Sequence, residues 1–498
     1  MKKYIKALPK AHTLLLGLIF CWALMPSTVF GTERKPNIIF ILADDLGIGD
    51  IGVYGQKQIQ TPNIDTMARE GLTFTDFYAG STVCAPSRCS LMTGQHTGHT
   101  IIRQNSGEMV SLRKSDVTIP KILKEAGYYN ACIGKWGMGL LGSEGEPLKQ
   151  GLDSFYGYVD QSHAHNFYPE FLIRDNKVEK LRNVVPNASP RGAGVATVRI
   201  DYTHTLFAEE AIKFISEKRE NPFFLYLAFT LPHANNEMTK ETGEGNEIPS
   251  DEPYTKMPWP QTEKNKAAMI TLLDKDIGRL FSRLKELGID NNTLVFFSSD
   301  NGPHDEGGND PAFFASSGIH KGIKRDLYDG GIRVPMIARW PQKIAANTVS
   351  SEILALWDVL PTLADINGIP APKECDGISF LPTLLGQKQE NKHQFIYWEF
   401  NGSGSKQALR MGKWKAVRNG LSKNENAPIE LYDITKDPHE DTNLASSFPE
   451  VIEAVRKAFE LAHVKSEHFP LGEWEGVNKY EDGSPKKGKK KSGEAKHE

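Results

Sequence analysis

Residues Asn37–Ala43 read NIIFILA and run straight into Asp44 and Asp45. Seven residues, nearly all apolar and rich in isoleucine, leave no face of a strand for water. Such a run suits a strand covered on both sides, in a parallel or mixed sheet. Tyr128–Ile133, Phe223–Phe229 and Leu294–Phe297 have the same character. Between them lie helical patterns. In Lys264–Leu287 apolar residues recur every three or four positions with charges between. Strands alternating with helices predict an α/β fold, with a mostly parallel central sheet flanked by helices.

Polar groups follow each buried run. Asp44 and Asp45 follow the first, Lys135 the second, His233 the third, and Asp300 and Asn301 the fourth. Ligands of open α/β sheets bind beyond the carboxyl ends of strands, so these residues are drawn toward one site. Asp44, Asp45, Asp300 and Asn301 offer only oxygen donors, which suit Ca²⁺ or Mg²⁺ rather than Zn²⁺. Three carboxylates so close together would repel one another without a cation. Taken singly, each pair reads as a helix or turn cap. Taken together at two strand ends, the cap and a shared metal are equally good readings.

The chain has 498 residues, 39% hydrophobic and 24% charged, with a formal net charge of -3. Its length predicts more than one domain. Its charge gives no global field for nucleic acid, so an anionic substrate must be attracted locally. Lys2, Lys3, Lys6 and Lys10 precede a short apolar stretch, Leu14–Leu24, and small residues near Gly31. That order predicts a secretory signal peptide over 1–31 and a periplasmic or secreted protein. A lipoprotein reading at Cys21 ranks lower, because bulky Phe20 precedes it. The expected large domain covers 32–390. From Asn391 short strand patterns appear at Phe395–Phe400, Gln407–Met411, Trp414–Val417 and Ile429–Asp433, then a helix at Glu450–His463. They predict a small C-terminal subdomain over 391–479, an antiparallel sheet with one helix. The lysine- and glycine-rich residues 480–498 read as a disordered basic tail. Four cysteines remain after the leader, too few for a convincing disulfide framework in so long a chain.

One of the four carries the chemistry. Cys84 lies in STVCAPSRCSLMTG, where Pro86 favours a first helical turn and Gly94 a helix end. A helix N-terminus there would stabilise an anion, and Arg88 lies one turn on. From the residues alone this is an anion site or a small buried thiol. The run Cys84-Ala85-Pro86-Ser87-Arg88, continuing through Ser90, Leu91, Thr93 and Gly94, resembles the type I sulfatase signature C-x-P-S-R-x-S-L-x-T-G. Gly134-Lys135-Trp136, Pro232-His233, Ser299-Asp300-Asn301-Gly302, and Lys324 through Pro335 resemble further elements of that family, as do Gln407–Val417 and Leu431-Tyr432-Asp433. The resemblance spans most of the chain after the leader and implies an alkaline-phosphatase-like large domain. It implies that Cys84 is converted to Cα-formylglycine by a formylglycine-generating enzyme. It also implies that one calcium ion is held by Asp44, Asp45, Asp300, Asn301 and the modified Cys84. Arg88, Lys135, His233 and Lys324 would surround the sulfate, with His233, or else Lys324, protonating the departing oxygen.

One departure matters. Most relatives follow G-K-W with a histidine that contacts the formylglycine, whereas here the position is Gly137. His163, His165 and His304 are the candidates to replace it, against a surface or packing role for each. The pocket walls are expected from loops near 142–151, 161–170, 235–259 and 303–320. The implied substrate is a sulfated carbohydrate or an aryl sulfate. Two rivals stand beside it: a phosphate or phosphonate ester hydrolase of the same superfamily, and a sulfated-glycan-binding protein without catalysis. No other apolar run is long enough to predict membrane insertion.

Overall fold

The computed structural model describes residues 34–105, 110–217 and 221–476. The expected leader and the basic tail lie outside these residues. A ten-stranded sheet runs through the molecule. Its centre is five parallel strands in the order Thr293–Ser299, Asn37–Ala43, Phe223–Ala228, Tyr129–Lys135, Ser154–Tyr158. Met336–Arg339 joins one side antiparallel, then Leu72–Phe74 and Thr348–Ser350; the hairpin of Phe171–Arg174 and Lys177–Lys180 closes the other.

The apolar runs are explained by the two layers they separate. Successive side chains of a strand point to opposite faces. Ile39, Ile41, Val295, Phe297, Leu225 and Leu227 enter one core with the helices Pro62–Arg69, Thr203–Ser216 and Gln261–Glu286. Ile38, Phe40, Leu42, Leu294, Phe296, Phe224 and Tyr226 enter the other, with the helices Cys84–Thr93, Ile119–Glu125 and Val359–Ile366. Neither face meets water, so alternation in the sequence is unnecessary.

Register then fixes the site. Ala43 pairs with Ser299, Leu42 with Ala228, Gly134 with Ala228 and Lys135 with Tyr158. The carboxyl ends of the central strands are therefore level, and the residues that follow them emerge side by side. Cys84 opens its helix from the second core, and the helix ends at Gly94 with φ +70°.

Toward the C-terminus, Ile396–Phe400, Lys406–Met411, Trp414–Asn419 and Ile429–Asp433 form a four-stranded antiparallel sheet. One face packs on the Pro449–Ala462 helix through Tyr397, Leu409, Leu431, Val455 and Phe459. The other packs Trp398, Phe400 and Val417 on Tyr78, Leu327 and Trp357. Cys84, Cys89, Cys132 and Cys375 are all free thiols.

Candidate functional site

Asp44 and Asp45 leave the first strand in a bend, with Asp45 at φ +64°, a left-handed conformation that aspartate tolerates better than most side chains. The bend turns the Asp45 N–H onto Asp300 Oδ1 at 3.1 Å, joining two strand ends. Cys84, at the first turn of its helix, places Sγ 3.3 Å from Asp44 Oδ1 and 3.9 Å from Asp45 Oδ1. Asn301 donates its amide to Asp45 Oδ1 at 2.7 Å. These residues are all fully buried.

Each carboxylate has one oxygen on a cation. Lys135 Nζ donates to Asp44 Oδ2 at 2.7 Å, and Lys324 Nζ to Asp45 Oδ2 at 2.8 Å. Arg88 donates to Asp300 Oδ2 through Nε at 3.0 Å and through its terminal nitrogen at 2.7 Å, while its other nitrogen donates to the Lys135 carbonyl at 2.9 Å. Asp44 Oδ1 and Asp45 Oδ1 then face Cys84 Sγ, while Asp300 Oδ1 takes the Asp45 N–H. The ligand atoms of Asp44, Asp45, Cys84 and His233 all lie within 4.8 Å of one another. Asn301 Oδ1 is buried and has no hydrogen-bond partner among the described residues. An oxygen-rich centre with an unspent buried carbonyl fits a hard divalent cation.

The electrostatics agree. Burial opposes ionisation of Asp44 and Asp45, but Lys135 and Arg88 hold the first well below the usual carboxylate range, and Lys324 and His233 lower the second. Asp300 goes the other way: burial and the neighbouring Asp44 raise it to about 7. The three carboxylates cannot all be ionised comfortably without further positive charge. Burial and Asp44 push the Cys84 thiol well above its ordinary value. An unmodified Cys84 is thus a thiol rather than a thiolate, and a poor nucleophile.

His233 donates from Nδ1 to the Ala234 carbonyl at 2.6 Å. Burial and the adjacent Lys324 lower its pKa to about 3, so it is neutral at rest. Its Nε2 lone pair accepts from Lys324 Nζ at 3.3 Å. The sequence reading gave the leaving-group proton to His233, or else Lys324, and these two side chains are neighbours here. Glu306, which the sequence reading did not single out, accepts from Lys324 Nζ at 2.7 Å and pairs with Arg325. It sits in a strand-free loop with no periodicity and no motif; its only signal was the run of polar residues after Asp300.

The three histidines considered for Gly137 separate. His304 has both ring nitrogens engaged, with the Pro232 carbonyl and the Glu306 N–H, each at 3.0 Å. His163 is buried, edge-on to Tyr158 and 4.5 Å from Phe171, a packing role. His165 stacks on His233, with ring centroids 5.1 Å apart and planes 12° apart. Gly137 itself has φ +74°, and a Cβ built on it would meet Gln161 Oε1 at 2.6 Å. Side-chain space beside Gly137 is taken by Gln161.

Known proteins resemble this chain in sequence and in fold. Residues 36–369 match the sulfatase family model, and residues 321–465 match the C-terminal region described for N-sulphoglucosamine sulphohydrolase. Human arylsulfatase A is 31% identical over 481 residues, covering 85% of this chain and 87% of its own. The N-acetylgalactosamine-6-O-sulfatase of Bacteroides thetaiotaomicron is 29% identical, covering 86% and 93%. The crystal structure of Ps i-CgsB in complex with k-i-k-neocarrahexaose superposes with a TM-score of 0.72 at 28% identity, covering 86% of this chain and 93% of that one. With its strand-end carboxylates, its buried cations and the Cys84 signature in one centre, this chain belongs to the sulfatase family, the hydrolases of sulfate esters.

Proposed function

We propose that the protein is a calcium-dependent sulfatase that removes sulfate from sulfated carbohydrates, using formylglycine made from Cys84. One observation carries the reading: the Cys84 side chain lies against Asp44 and Asp45 in a buried centre whose remaining groups are cations, oxygen donors and His233. Asp44, Asp45, Asp300 and Asn301 would hold the ion. When present, formylglycine supplies a hydrated aldehyde as nucleophile, and calcium raises the acidity of its hydroxyls.

The chain's own residues do the rest. With Asp44, Asp45 and Asp300 all ionised, Arg88, Lys135 and Lys324 only offset them, and Arg325 offsets Glu306. A centre with no net positive charge does not attract a sulfate monoester; a divalent ion would tip it positive. Lys135, Lys324 and Arg88 then stand ready to share the charge that develops on the sulfate oxygens. The proton shared between Lys324 Nζ and His233 Nε2 is the one available to the departing alcohol, and Glu306 holds Lys324 in place for it. Burial of the whole set excludes bulk water and keeps each contact strong.

We further infer that the protein is exported to the periplasm or secreted, and that a formylglycine-generating enzyme is its maturation partner. Among the described residues no helix is long and apolar enough to cross a membrane.

The test is direct. Protein co-produced with a formylglycine-generating enzyme is digested, and the peptide containing Cys84 is weighed. Rates on 4-nitrophenyl sulfate and 4-nitrophenyl phosphate are measured side by side. The reading requires an aldehyde at residue 84 and faster sulfate hydrolysis. A thiol at full occupancy with no turnover favours a glycan-binding protein, and faster phosphate hydrolysis favours the phosphorus reading.

A further inference from the structure

The Lys324 ammonium is gripped at its tip by Asp45, Glu306 and His233. The chain behind it has no such regular support. Residues 321–328 form neither strand nor helix, so no ladder of hydrogen bonds fixes their backbone. Arg325, the next residue, has φ +78°, a left-handed conformation that is unfavourable for a residue with a Cβ and persists only where the surroundings enforce it. The large domain supplies two holds. The Lys324 N–H donates to the Pro303 carbonyl at 2.8 Å, and the Arg325 N–H to the Thr82 carbonyl at 3.1 Å.

The other holds come from the C-terminal segment, at least 80 positions away in the chain. Lys406, at the start of the Lys406–Met411 strand, donates from Nζ to the Arg325 carbonyl at 2.8 Å and to Asp326 Oδ1 at 3.1 Å. Its side chain is 12% exposed, so little water competes for the ammonium. Further along the loop, Asp329 is fully buried. Its Oδ1 accepts from Lys415 Nζ at 2.9 Å, and its N–H donates to Glu440 Oε2 at 2.8 Å. Lys321 Nζ reaches the Glu440 carbonyl at 3.1 Å. The small sheet and the loop after it thus pin the segment that carries Lys324 on both sides of that residue.

The pins differ in what they control. Lys415 belongs to a buried set with Asp329 and Glu440, and losing it would leave carboxylates unpaired, an injury to the fold. Lys406 instead bonds the peptide immediately after Lys324. Without its ammonium the left-handed turn loses a charge-assisted bond, and Lys324 Nζ loses its fixed approach to His233. We propose that Lys406 is a positioning residue for sulfate ester hydrolysis: by holding the Arg325 carbonyl it keeps Lys324 where the Lys324–His233 proton reaches the departing oxygen. This rests on the sulfatase reading and deepens it. Lys406 acts through Lys324 and takes no part in bond breaking.

The experiment uses Lys406→Met, which keeps the length of the aliphatic stem and removes the ammonium, and Lys406→Arg, which keeps the charge. Each is compared with the matured parent on 4-nitrophenyl sulfate, whose leaving oxygen needs little help from a proton, and on phenyl sulfate, whose leaving oxygen needs more. Melting temperatures are taken alongside. A displaced Lys324 predicts kcat on phenyl sulfate lower by about 10-fold or more in Lys406→Met, and a loss on 4-nitrophenyl sulfate smaller by at least about 3-fold. Lys406→Arg should stay within about 3-fold of the parent on both esters. Equal losses on the two esters, no loss on either, or an arginine variant as impaired as the methionine one overturns the positioning role and leaves the sulfatase reading intact. Should Lys406→Met not fold, Lys406→Gln is read against the same outcomes, and failure of both to fold overturns the proposal in favour of a purely structural lysine. A matured parent enzyme that cleaves neither ester brings down the sulfatase reading itself, and the positioning role with it.

Discussion

At the scale of single residues, the centre is a set of charges that only make sense together. Lys135 is fully buried, and its ammonium lies on Asp44. Removing it takes away a preorganised cation and leaves a buried carboxylate unpaired. Lys135→Ala should therefore lower kcat/KM on a sulfate ester by about 2–4 kcal/mol, comparable with losing an oxyanion donor. A variant within about 3-fold of the parent would show that Lys135 is not in the site's electrostatics. The residue scale is also where the sequence was most readable. Lys135 ends a buried strand and Asp44, Asp45, Asp300 and Asn301 directly follow two others, so strand ends in the sequence became neighbours in space. Cys84 was readable only because its surrounding signature is long. Glu306 was not, since a loop after Asn301 has no period to place it. The neutral state of His233 comes from burial and from Lys324, 91 positions away, and no local pattern announces that contact.

At the scale of elements, two glycines separate backbone crowding from side-chain crowding. Gly134, inside the Tyr129–Lys135 strand, has φ +110°, and a Cβ there would sit 1.9 Å from the Ala228 carbonyl of the neighbouring strand. Nothing at that spot can give way. Gly137 has φ +74°, but its only close neighbour among the described residues is the amide end of Gln161. Gly134→Ala should fail to fold or unfold at far lower temperature. Gly137→Ala should cost about 1–2 kcal/mol for the left-handed backbone and leave a folded protein. Thermal melts of the two check this, and equal melting temperatures would refute the crowding argument. Element ends from the sequence were off by one to three residues. The helix read from Lys264 begins at Gln261, because Pro260 and polar residues precede the apolar repeat on which the reading relied. The strand read as Leu294–Phe297 extends to Ser299, because buried serines carry no hydrophobic signal.

At the scale of the whole molecule, polar clamps tie the C-terminal segment to the fold. His463, just past the Pro449–Ala462 helix, lies 2.7 Å from Glu399 of the small sheet and 3.1 Å from Glu475. Burial opposes its charge, yet the two carboxylates raise its pKa to about 9. A histidine raised on folding contributes stability that is fully present below its unfolded value, near 6.5, and is lost as pH climbs through about 9. The parent protein should therefore melt at lower temperature as pH rises across that window. His463→Gln should flatten the decline, and an unchanged slope in the variant would remove the clamp from the account. This clamp was invisible in the sequence, where 64 positions separate His463 from Glu399. The overall α/β layering was visible, since each central strand must be apolar on both faces.

Catalysis turns on the nucleophile at residue 84, and Cys84→Ser tests that role. Serine is not converted to the aldehyde when the maturation enzyme acts on cysteine, and its single hydroxyl cannot release bound sulfate by collapse of a hydrate. Turnover of 4-nitrophenyl sulfate is followed for the matured parent and for the serine variant, with matching melts to show that both are folded. The predicted result is sustained turnover by the parent and none by the variant beyond one equivalent of product. Sustained turnover by the serine variant at the parent's rate would contradict the mechanism.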